Sequence, residues 1–108
     1  MQEVRDSRSV VLDGSGNGSV TFGPDRYPWI ISRVSVRVSS NTNEPQAAVY
    51  RGSVNPGTFV SGTFSGTNDT DSTWNDGVLN IGEQYVCQWT GGDAGATATV
   101  SFYGVEAP

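Results

Sequence analysis

Hydrophobic and polar residues alternate with a period of two along much of this chain. The clearest run is WIISRVSVRVSS, from Trp29 to Ser40. Its even positions carry Ile30, Val34, Val36 and Val38, and its odd positions carry Arg33, Ser35, Arg37 and Ser39. Successive side chains of a strand point to opposite faces, so this spacing predicts a strand with one dry and one wet face. Shorter runs repeat the pattern. GSVTFG groups Val20 with Phe22, EQYVCQWT groups Tyr85, Cys87 and Trp89, and ATATVSFYGV groups Ala98, Val100 and Phe102. SVVLD, AAVYRG, TFVSGTFSG and VLNIG supply further short strands.

Turn signals separate these runs. GSGN, GPDRYP, NTNEPQ and SVNPG are rich in residues that accept turn geometry or bond their own backbone. TNDTDSTWNDG is the longest stretch without a regular pattern and reads as a loop. Residues 1–8 are polar and charged, which predicts a flexible arm ahead of a single domain over residues 9–108. About eight short strands, with turns every eight to twelve residues or so, predict an all-β antiparallel sandwich. A jelly-roll-like arrangement is the first expectation and an immunoglobulin-like sandwich the alternative.

Composition sharpens that reading. The chain has 14 Val, 10 Thr, 13 Ser and 14 Gly against 2 Leu and no Lys. Residues branched at Cβ suit a pleated surface, and the usual helix fillers are scarce. Net charge is −5, which offers no basic footprint for nucleic acid or an anionic membrane. No stretch approaches the roughly 18 apolar residues of a membrane span. The start MQEVRDSRSV also lacks the basic-then-apolar build of a secretory signal. The expectation is a protein made and used without export by a signal of its own.

Candidate chemistry is sparse. Cys87 stands alone, shares the core face of its strand, and has neither His nor Lys in the chain to stabilise a thiolate. It reads as a small buried apolar residue. The following GGDAGA precedes a strand rather than a helix, so its glycines are expected to turn a hairpin rather than cradle phosphate. Asp69, Asp71 and Asp76 make an oxygen-rich stretch, but their spacing does not fit the EF-hand calcium loop. No catalytic, cofactor-binding or metal-ligating residue is assigned. Trp74 inside its polar loop and Trp29 beside two prolines are interface candidates, because aromatic side chains are enriched at binding hot spots. Arg5 and Arg8 of the arm are two more, placed to reach a neighbouring subunit.

GSVTFGP, ISRVSVRVSS, AAVYRGS and IGEQYVCQWTGGDAGATATVSFYGVE together resemble small β-sandwich virion proteins of tailed phages, particularly those of high-GC actinobacterial hosts. The resemblance spans most of the chain after Ser9 and is one of pattern, without a diagnostic motif. It implies a non-enzymatic structural protein of the virion, made in the host cytoplasm. Such a protein decorates and stabilises the capsid shell, or serves as an accessory piece of the tail. The implied partners are the major capsid protein or another virion protein, with further copies of the chain in a homo-oligomer, a trimer first. The alternative expectation is a carbohydrate-binding or host-surface-binding module of a phage tail, with Trp74, Tyr103 or Trp29 as the stacking platform.

Overall fold

The computed structural model describes residues 2–107. Among them the alternating runs form nine strands: β1 (Glu3–Val11), β2 (Gly18–Phe22), β3 (Trp29–Val38), β4 (Gln46–Arg51), β5 (Phe59–Ser65), β6 (Asn68–Asp71), β7 (Val78–Leu79), β8 (Tyr85–Thr90) and β9 (Thr97–Glu106). Every pairing is antiparallel. One sheet has the order β1-β9-β3-β6, with β7 beside the start of β3, and the other has the order β2-β8-β4-β5.

The pairings nest inside one another. β4 pairs with β5, β3 with β6, β2 with β8, and β1 with β9. The chain is thus one long two-stranded ribbon, closed at the β4–β5 turn. Folding that ribbon over brings β9 onto β3 and β8 onto β4. Two packed sheets built this way are a jelly roll. An immunoglobulin-like sandwich keeps its first two strands in one sheet, whereas β1 and β2 lie in different sheets here.

Three local expectations change. Residues 3–8 do not form an arm: they are the first part of β1, paired with β9 along its length, and Met1 lies outside the described residues. An edge strand needs few apolar side chains, and charges along it guard the open edge against pairing with other chains. The stretch GGDAGA is likewise no hairpin turn, because β8 and β9 belong to different sheets. It is the corner where the ribbon crosses from one sheet to the other. There it runs beside the β1–β2 corner, with the Leu12 N–H donating to the Ala96 carbonyl at 2.8 Å and the Gly92 N–H to the Gly16 carbonyl at 3.0 Å. A Cβ on Gly16 would sit 1.9 Å from the Gly92 oxygen, so only glycine lets the two corners touch. Finally, the patternless stretch contains β6, whose polar side chains hide the alternation.

The long strand also departs from simple alternation. Ile31 pairs with Gly104 and Arg33 with Tyr103, which leaves Ser32 as a bulge. The extra residue reverses the phase. Ile31, not Ile30, joins Val34, Val36 and Val38 inside, and Ile30 is 37% exposed. Gly104 permits this close approach, since a Cβ there would lie 2.1 Å from the Ile30 oxygen.

Both inner faces are apolar. Phe22 of β2 stacks on Phe102 of β9 across the sandwich, with centroids 4.3 Å apart. Tyr85, Cys87 and Trp89 of β8 are all fully buried, with Val49 and Val100. Burial pushes the Cys87 thiol up to about 12. The thiol is a core atom.

Candidate functional site

The outer face of the β1-β9-β3-β6 sheet carries an ordered array of polar side chains. Its register sets side chains in rows across the strands. Arg5, Tyr103 and Arg33 form one row. Ser7, Ser101, Ser35 and Thr70 form the next, and Ser9, Thr99, Arg37 and Asn68 the third. Each row follows from the same rule, that directly opposed residues in antiparallel strands share a face.

Geometry turns these rows into relief. The Arg5 and Arg33 guanidinium carbons lie 5.0 and 5.4 Å from the centroid of the Tyr103 ring, reaching it from strands on its two sides. The middle row is short by comparison, being hydroxyl side chains only. Two hollows follow from that difference in height. One, of about 420 Å³, is lined by Arg5, Arg33 and Tyr103 with Ser7, Ser35 and Ser101 below them, and also by Phe102 and by Asp6, whose carboxylate is paired with Arg8. The other, of about 130 Å³, lies towards Arg37, Thr99 and Asn68. Both are lined by Ser35 and Ser101, so the two hollows form one groove. Ser35 and Thr70 hydroxyls are bonded at 3.0 Å, and Ser9 and Thr99 hydroxyls at 2.8 Å, which ties the floor and its margin across strands.

Charge on this face is positive, although the chain is acidic. Arg5 bonds Glu3 at 3.0 Å on the exposed surface. Arg33 and Arg37 make no ion pair among the described residues. Their charges are therefore directed at solvent or a ligand. A guanidinium presents a planar fork of donors that matches a carboxylate or phosphate, and serine hydroxyls add donors beside it. The groove is suited to holding an anion.

The other candidates fall elsewhere. Arg8 points to the opposite side of β1 from Arg5, beside Asp6 at 2.7 Å and 5.7 Å from the Phe102 ring centroid. That bond to Arg8, and the Ser7 N–H, hold the Asp6 carboxyl below its usual range. Trp29 is half-buried and tilted against Phe102 at 5.6 Å. Trp74 is only 6% exposed and meets Tyr85 edge-on at 5.2 Å, so it closes the core instead of presenting an anchor. With Trp74 and Trp29 packed inward and Tyr103 flanked by two arginines, no open aromatic platform for a sugar forms from these three residues. A cluster of three His, Cys, Asp or Glu side chains able to hold a metal is absent among the described residues. Asp69 is bonded to backbone N–H groups, Asp71 to Ser61 and Thr73, and Asp76 to Arg51 and Tyr85.

Arg33, Ser35 and Arg37 were legible as the wet face of a strand, but not as a site. Two arginines four residues apart, in a chain with only six basic residues, were the available signal. Ser7 and Ser101 carried none, because only the pairing of β1, β9 and β3 brings them beside those arginines. No protein-family model matches the chain, and comparison with curated proteins finds no relative.

Proposed function

We propose that this chain is a non-enzymatic structural module that attaches to an assembled protein shell, a decoration protein of a virion, and that the outer face of the β1-β9-β3-β6 sheet is its attachment surface. The observation that carries the reading is the positive, grooved face on a chain of net charge −5. A rigid sheet presents that face without loop ordering, which lowers the entropic cost of docking. The pattern resemblance to phage sandwich proteins supplies the biological setting, and the jelly roll is a fold found in viral capsid proteins. Stabilisation would follow from mass action, since a protein that binds only the assembled shell favours that state.

The reading is tested on particles. Mass spectrometry of purified virions should find the chain in many copies, and protein added to particles lacking it should sediment with them. Particles that neither contain nor recruit the chain reject a virion role. Retention on a neutral polysaccharide column in place of particles would favour the host-surface module.

A further inference from the structure

Within the attachment face, and resting on that reading for its biological partner, we infer that the groove between Arg33 and Arg37 binds an extended acidic peptide segment carrying two carboxylates. Arg33 and Arg37 lie four residues apart on β3, and Arg33, Ser35 and Arg37 share its outer face. At a strand rise of about 3.3 Å per residue, their Cα atoms are roughly 13 Å apart. That is also the spacing of residues i and i+4 in an extended peptide, about 13 Å by the same rise. Each guanidinium takes one carboxylate. The peptide between them crosses Ser35 and Ser101, the two residues shared by both hollows.

The surroundings set the selectivity. Arg5 is already bonded to Glu3, and Arg8 to Asp6 on the far side of β1, so neither contributes a free positive charge. Arg33 lies over the Tyr103 ring and lines the larger hollow. A narrow floor of hydroxyls suits a slim backbone with small residues between the acids. The Tyr103 ring in the larger hollow has Arg5 and Arg33 against it, which obstructs stacking by a bulky sugar chain. A partner segment of Glu or Asp with Gly or Ser between them fits the charge and the spacing.

The test uses the whole folded chain and the capped peptide acetyl-EGSGE-amide, followed by titration calorimetry and by amide shifts of Ser35, Ser101 and Tyr103. The expected result is saturable binding that weakens as salt rises. Arg33→Gln with Arg37→Gln should weaken it at least tenfold, with thermal unfolding unchanged. A peptide with both Glu replaced by Gln should bind at least tenfold more weakly. Equal binding of the Gln peptide, or undiminished binding by the double variant, overturns the inference. So does binding of an anionic polysaccharide such as polygalacturonate with none of the peptide. Failure to attach to particles while the peptide still binds as described rejects the decoration reading alone. Particle attachment that survives the double variant, with no peptide bound, rejects the groove and leaves decoration standing.

Discussion

The Tyr85 hydroxyl donates to Oδ2 of Asp76 at 2.9 Å, and the same carboxylate oxygen accepts from Arg51 at 3.1 Å. Arg51 also reaches Glu83 at 2.7 Å and the Val78 carbonyl at 2.8 Å. Asp76 therefore fastens the segment ahead of β7 to β4 and β8 at once. Burial first, and then the Asp76 carboxylate, raise the Tyr85 hydroxyl well above its usual range.

Tyr85→Phe should cost about 1.5–3 kcal/mol, the range for a hydrogen bond to a charged group. Asp76→Ala should cost about 2–3 kcal/mol, because it leaves both the hydroxyl and Arg51 without that acceptor. The two losses should not add in the double variant, since they share one bond. Urea unfolding of the three proteins checks this. A Tyr85→Phe variant as stable as the parent would show that the latch contributes nothing.

Trp74 gives a prediction of a different kind. Buried edge-on against Tyr85, it should behave as a core residue, and Trp74→Ala should destabilise the isolated domain by about 3–5 kcal/mol. Binding to particles by the fraction that remains folded should be unchanged. Thermal unfolding beside sedimentation separates the two quantities. A variant of unaltered stability with weakened attachment would return Trp74 to the interface.

Stability should fall at both ends of the pH range. The Asp93 carboxylate accepts from the backbone N–H groups of Asn41 and Asn43 at 2.8 Å and of Thr42 at 3.0 Å, which holds it below the ordinary carboxylate value. A carboxylate depressed on folding adds stability above its unfolded value and loses it as pH falls through the folded one. Acid unfolding should therefore begin below about pH 4, the unfolded carboxylate range, and Asp93→Asn should flatten that limb. At the alkaline end the sign reverses. The Cys87 thiol, raised to about 12 by burial, lets the unfolded state ionise first, so stability is lost as pH rises from about 9 towards that value. Native thiol labelling should be slow and become fast in denaturant. Rapid native labelling would contradict the buried site.

Much of the architecture was legible along the chain because a strand records its environment residue by residue. Tyr85, Cys87 and Trp89 alternate with Val86 and Gln88, and the first three are buried as their spacing required. A bulge breaks that record. Ser32 shifts the phase of β3, and nothing in IISRV marks which residue is extra, so Ile30 and Ile31 exchanged places. Edge strands also leave little trace, since an exposed strand such as β1 or β6 has few positions that must be apolar.

The sequence by itself determined the all-β class, the buried cysteine and the dry faces of β8, β9 and the part of β3 beyond its bulge, because these depend on local alternation. Only tertiary structure decided that β1 pairs with β9 and β2 with β8, since such pairings join residues from opposite ends of the chain. It alone turned Trp74 inward, where a polar loop folds back over Tyr85. It also assembled the groove, whose Ser7, Ser35 and Ser101 come from three strands far apart in the chain. Local spacing encodes a strand's faces, but which strands become neighbours depends on how the ribbon folds over its own core.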